Sequence, residues 1–218
     1  TASNFSIYKG RGDDERAERI VATGITGLLF VSIVELVIVI AFLDPLLRLF
    51  GASDNIFHYA HDYAFITSLA IVFVVFSIAL SHIIRADGSP KYAMMLNVTG
   101  AILNVILDYI FMIHFKMGIK GAAWATFIGQ AVSFVLALYY IFFLKDNPIR
   151  KKDFKIHPEE LAAILKLGSA ACINQLAMVV VQIVMNNVMT YYGAISKYGP
   201  DIPLAAVGIA SKLSLIHI

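Results

Sequence analysis

Asp108 is the one carboxylate inside an otherwise apolar run, Tyr92–Phe115. An aspartate at the centre of a membrane-spanning helix costs roughly 2.5–3.5 kcal/mol to insert, so it needs a compensating partner or a purpose. Asn104 lies four residues earlier, on the same helical face one turn away. The short turn Lys116–Lys120, centred near Met117, leaves Asp108 nine residues to one side and Thr126 nine to the other, so an antiparallel hairpin brings both to one depth. Three oxygen-bearing side chains then converge, a donor set suited to a small hard cation or to a proton. The alternative is a buried hydrogen bond that only holds two helices together. Thr126 by itself says less, since a membrane Thr commonly bonds its own i−4 carbonyl.

The elements that must position these residues follow from composition. Of 218 residues, 59% are hydrophobic and 15% charged, against about 45–50% and 25% in soluble domains. The apolar residues fall in segments of about twenty or more, long enough to cross a hydrocarbon core as helices. The expected fold is therefore all-α and polytopic. Complete spans are expected at about 20–43, 63–84, 92–115, 121–144 and 159–192, after the end of an earlier helix at 1–8 and before a partial span that begins near 204. Asp44-Pro45 should end the first span, because proline disfavours helical geometry in the residue before it. Pro158 should start the helix that follows the charged interval Lys145–Pro158. The chain opens at Thr1 and closes at Ile218 part-way through an apolar segment, so it is expected to be an internal fragment. Cys172 is the only cysteine and has no disulfide partner within the chain. A net charge of +2, with the basic residues in loops, implies no nucleic-acid partner.

Loop charge predicts orientation. The loops 9–19, 85–91 and 145–155 hold eleven Lys/Arg, and the alternate set, 44–62, 116–120 and 193–203, holds four. The first set should face the cytoplasm. Lys166 lies near a helix end, where it can snorkel, and Lys212 sits inside the last, partial span. Glu35, within the first complete span, should face a water-filled cavity or pair within its helix bundle. Gln175, Gln182 and Asn186 are spaced by seven and four, and so point within about 20° of Gln175 at 100° per residue. They line a substrate cavity or bond neighbouring helices. Met178, Met185 and Met189 either line an adaptable cavity or pack a core.

The runs Arg85–Lys91 (R-x-x-G-x-P-K), Gly100–Asp108 (G-A-I-L-N-x-x-L-D) and Gly118–Thr126 (G-I-x-G-A-A-x-A-T) together resemble multidrug and toxic compound extrusion (MATE) transporters, as does the opening SIYKGRGDDERAER. The resemblance covers essentially the whole chain. It implies a fragment of a two-lobe, twelve-helix transporter. Residues 1–147 would form most of the N-lobe, from the end of helix 2 to helix 6. Residues 148–158 would form a cytoplasmic interlobe loop, and 159–218 the start of the C-lobe, with helix 7 and part of helix 8. It further implies a cation-coupled antiporter of the cell membrane that exchanges Na+ or H+ for organic, often cationic or aromatic, compounds by alternating access. The working unit would be a monomer in a lipid bilayer, with no cofactor beyond the coupling ion. Asn104, Asp108 and Thr126 match the family's N-lobe cation site by spacing, and that site also takes an aspartate from a first helix that this chain lacks. Some members place a glutamate for C-lobe cation binding on the helix that carries only amides here.

Two other classes remain for comparison. A lipid-linked precursor flippase of the same broader superfamily would show several cationic residues in its cleft, and these spans show few. An intramembrane aspartyl protease needs two facing carboxylates and a glycine-rich motif, which Asp108 lacks, so enzymatic activity is not expected. The charge asymmetry sets a test of topology. A cysteine in place of Lys152 should be protected from an impermeant thiol reagent in intact cells, and one in place of Lys197 should be labelled; the reverse pattern would overturn the orientation.

Overall fold

The computed structural model describes residues 1–144, 157–196, 199 and 201–217. All of 145–155 and Lys197 lie outside the described residues, as does the side chain of Lys212. The described elements are all helical: α1 (Ala2–Gly10), α2 (Asp14–Ala41), α3 (Leu43–Leu49), α4 (Phe57–Leu69), α5 (Ile71–Ala86), α6 (Pro90–Asp108), α7 (Ile119–Tyr139), α8 (Pro158–Ile195) and α9 (Asp201–His217). α6 and α7 each run on into a wider, π-helical turn, Tyr109–His114 and Tyr140–Leu144. Four of these helices are long and apolar enough to cross a membrane, namely α2, α6 and α7 with their wide turns, and α8; α4 and α5 pass that test only together, as a broken span or a re-entrant loop.

This bent pair stands where one span was expected over 63–84. It starts earlier, at Phe57, and bends by 53° between α4 and α5. Thr67 and Ser68 explain the break. The Thr67 hydroxyl donates to the Tyr63 carbonyl at 2.9 Å and the Ser68 hydroxyl to the Ala64 carbonyl at 2.6 Å, while the Ala70 N–H turns to the i−3 carbonyl of Thr67. Two successive hydroxyls drawing on the same turn weaken its ladder and bend the helix. A second departure is α3, which lies where a loop was expected. Pro45 falls in its first turn, where a missing N–H costs nothing.

Residues 1–41 and 63–169 form one compact unit, and residues 42–62 and 170–218 another. In the first, α5 packs against α1, α2, α6 and α7. Its buried residues Phe76, Leu80, Ile83 and Ile84 recur at helical spacing and meet Phe5, Val21 and Leu96. Phe73 on the same helix lies 5.4 Å, ring centre to ring centre, from both Phe127 and Phe134. Small residues sit where helices approach closely, among them Ala17, Ala22, Ala93, Ala123 and Ala125, all buried. At one end of this unit Asp87 is 5% exposed, ion-paired to Lys9, and hydrogen-bonded to the Tyr140 hydroxyl at 3.1 Å. That hydroxyl also lies 2.7 Å from Ser89 Oγ.

In the second unit, α3 presents its last carbonyls to α8. Asn187 donates to the Leu49 carbonyl at 2.7 Å, Asn186 to that of Phe50 at 3.2 Å, and Thr190 to that of Gly51 at 3.2 Å. A helix C-terminus leaves carbonyls without intrahelical donors, and here three side chains of a neighbouring helix supply them. Ser53 bonds Asp201 at 2.6 Å, which ties the following loop to the start of α9.

Leu80 is fully buried at the centre of the first unit. Leu80→Ala should destabilise the full-length protein by about 2–5 kcal/mol, and Leu80→Met, which conserves volume, by less than about 1.5 kcal/mol; thermal unfolding in detergent measures both.

Candidate functional site

α6 and α7 form the antiparallel hairpin that the short turn requires. Gly118 takes φ +58°, and Lys116 enters the same left-handed region at φ +53°. The Phe115 N–H reaches the i−5 carbonyl of Ile110 at 3.0 Å, which closes the wide turn that begins directly after Asp108. Such turns re-aim the residues that follow them and recur at functional sites.

Two glycines set how closely the helices approach. A Cβ on Gly129 would lie 3.0 Å from the Gly100 carbonyl oxygen and 3.3 Å from Asn104 Cβ. On Gly100 it would lie 3.2 Å from the Gly129 carbonyl oxygen and collide with Ser133 Oγ. The absence of both Cβ atoms lets the backbones nearly touch. Asn104 then reaches across to Thr126, its amide donating to the hydroxyl at 3.3 Å, while that hydroxyl donates to the Ala122 carbonyl at 3.0 Å. The local i−4 bond and the interhelical bond thus coexist, because a hydroxyl donates one bond and accepts another.

The hairpin and α5 line a half-open cavity of about 360 Å³ whose polar lining includes Ser77, Asn97, Asn104, Thr126, Gln130 and Ser133. It carries amides and hydroxyls and no charged side chain. Ser77, Asn97, Gln130 and Ser133 escaped the sequence reading, yet for three of them the signal was there. Asn97 stands seven residues before Asn104, and Gln130 and Ser133 stand four and seven after Thr126, so each shares a face with a residue already singled out.

Asp108 is placed differently from its two companions. It is not among the residues that line the cavity, and no hydrogen bond joins it to Asn104 or Thr126. Its side chain is half-buried, and Oδ1 is shielded from solvent without any hydrogen-bond partner. Buried polar atoms are satisfied in the great majority of cases, so this oxygen calls for a partner beyond the described residues, such as a water or an ion. Glu35 is exposed on α2 and Lys166 on α8. Of the amides on α8, Gln182 donates to Asn186 Oδ1 at 2.8 Å, Asn186 caps α3, and Gln175 is exposed. Asn187, off the expected polar line, and Thr190, one turn beyond Asn186, contribute as much to that capping. Met178 and Met185 are exposed.

Comparisons agree with this architecture. The MatE family model matches residues 1–110. "Probable multidrug resistance protein YoeA" of Bacillus subtilis (strain 168) is 27% identical over 94% of this chain and 48% of its own length. "Multidrug export protein MepA" of Staphylococcus aureus (strain NCTC 8325 / PS 47) is 26% identical over 89% of the chain and 44% of its own length. Among solved structures, the inward-facing conformation of a multidrug resistance MATE family transporter of the MOP superfamily superposes with a TM-score of 0.80, at 25% identity, over 94% of this chain and 50% of that one. An outward-facing conformation of such a transporter gives 0.83 at 26% identity, over 99% and 47%. The chain spans about half the length of the curated relatives it matches.

The glycine contact generates a prediction. Gly129→Ala must push two backbones apart and should destabilise the protein by about 1–3 kcal/mol. Gly168→Ala on α8, where nothing lies within 4 Å of the added Cβ, should be neutral or slightly stabilising. Equal unfolding temperatures for the two variants would show that the hairpin is not held at this distance.

Proposed function

The chain belongs to the MatE family of membrane transporters, and from that premise we propose that the protein exports organic, often cationic or aromatic, compounds across the cell membrane in exchange for Na+ or H+. The relatives named for multidrug resistance and multidrug export support the substrate class, and they do not favour the flippase reading. In this proposal residues 1–147 supply most of an N-lobe, 148–158 an interlobe loop and 159–218 the start of a C-lobe. One monomer, crossing the bilayer several times, does the work.

The observation that carries the coupling proposal is the orphaned Oδ1 of Asp108, one helical turn beyond the Asn104–Thr126 contact. Na+ held at this carboxylate would draw the neutral oxygens of Asn104 and Thr126, one turn away, toward it, whereas a proton would neutralise the charge directly. Either way, occupancy decides whether a charge sits inside an apolar bundle. Antiport needs that link, since a ligand biases inward and outward states only through unequal affinity for them. The uncharged cavity lined by Asn104, Thr126 and Gln130 is the place for a polar part of the substrate, and the amides Gln175, Gln182 and Asn186 are a second candidate surface.

Asp108→Asn keeps size and hydrogen-bonding capacity and removes the charge. In the full-length protein it should reach the membrane normally and lose gradient-driven efflux of a cationic dye by at least about tenfold. Thr126→Ala removes one neutral oxygen and should weaken cation dependence by about fivefold. Wild-type efflux with unchanged cation dependence in Asp108→Asn would refute the assignment and leave Asp108 a structural residue.

A further inference from the structure

Glu160 lies in the first turn of α8, and its side chain is only 6% exposed. Its Oε1 accepts a hydrogen bond from Arg16 Nε of α2 at 3.0 Å, and the same guanidinium lies over the Tyr8 ring, 4.8 Å from its centre. Its other oxygen, Oε2, is buried and accepts nothing. Beside this pair the His157 N–H donates to Thr23 Oγ1 of α2 at 3.4 Å, and the Leu161 side chain lies against Gly27. The entry of α8 is thus fastened along α2 at three successive levels.

A pair built only for stability would satisfy both carboxylate oxygens, because desolvating two charges is offset only by good geometry and a full set of hydrogen bonds. Here one oxygen is left over, and Arg16, 43% exposed, is close to water already. The closed pair thus leaves one carboxylate oxygen without a donor while its guanidinium already reaches water. Released, Glu160 keeps a favourable place for its charge at the positive end of α8, and Arg16 keeps the Tyr8 ring. α8 is one unbroken helix from Pro158 to Ile195, and its residues from Ala170 onward belong to the second compact unit.

We propose that the Arg16–Glu160 pair is a reversible latch, closed in this structure, that holds the first turn of α8 against α2 in one access state and releases it in the other. This inference rests on the transport reading, because only an alternating protein needs an α2–α8 contact that opens. In the full-length protein carrying Cys172→Ala, spin labels on Asp14→Cys and Glu159→Cys, both exposed positions, report the separation of α2 from the first turn of α8. Without further change the labels should give a short and a long distance, whose ratio shifts when Na+ or pH is varied. Glu160→Gln should raise the ratio of long to short about tenfold, and the exchange Arg16→Glu with Glu160→Arg should bring it back. One distance that neither ion, pH nor Glu160→Gln moves would overturn the latch, and the unsubstituted pair decides this even if a variant fails to fold. Dye efflux by the same labelled protein tests the transport reading separately: efflux with one fixed distance refutes the latch alone.

Discussion

In hydrocarbon a backbone N–H or C=O has no water to turn to, so each must find its partner inside the protein. This chain meets the demand with helices, and the same constraint then governs its polar side chains. The hydroxyls of Thr26, Ser68 and Thr126 each bond the carbonyl four residues back on their own helix. Those of Tyr92 and Ser133 reach across to the carbonyls of Leu136 and Leu96. Where a helix must end, at α3, the loose carbonyls are taken up by Asn186, Asn187 and Thr190. Against that background, a polar atom without a partner is conspicuous. Asn4 Nδ2, Asp108 Oδ1 and Glu160 Oε2 are the side-chain atoms in that position among the described residues. Two of the three are carboxylate oxygens, and they belong to the proposed coupling group and the proposed latch.

Lipid tails are as apolar as leucine, so helices in a membrane are held by close packing and interhelical hydrogen bonds rather than by exclusion of water. The α6–α7 hairpin uses both. Gly100 and Gly129 bring the backbones together, and Asn104 bonds Thr126 once they are close. The site depends on that order. A side chain as short as asparagine crosses to the next helix only where nothing stands between the backbones, and the cavity beside it is lined by the polar side chains of the same two faces.

Much of this was legible in the sequence because it depends on local quantities. Span length, apolar composition and the short turn between α6 and α7 follow from residue spacing along one or two adjacent helices, and the hairpin forms there; the spacing matched Thr126 in depth to Asp108, whereas the structure sets Thr126 against Asn104, one turn earlier. Residues at period 3.6 share a face whatever surrounds them, so residue types and spacing alone reveal the polar faces of α6 and α7. The family motifs lie in the same local stretches.

The rest was decided by contacts between residues far apart in the chain, which no periodicity records. The bend before Ala70 comes from two hydroxyls whose choice between their own helix and a neighbour is settled by packing. α3 stands because α8, more than 130 residues later, caps it. Asp108 shares a helix with Asn104, but the wide turn that starts beside it and the shape of the bundle leave it outside the cavity with one oxygen unclaimed. Glu160 meets Arg16 across 144 positions. Spacing along the chain determined which residues could come together on one helix or one hairpin, because helix geometry is local; which polar atoms found partners was left to the tertiary structure, because a hydrogen bond forms only between atoms that packing has already brought within about 3 Å.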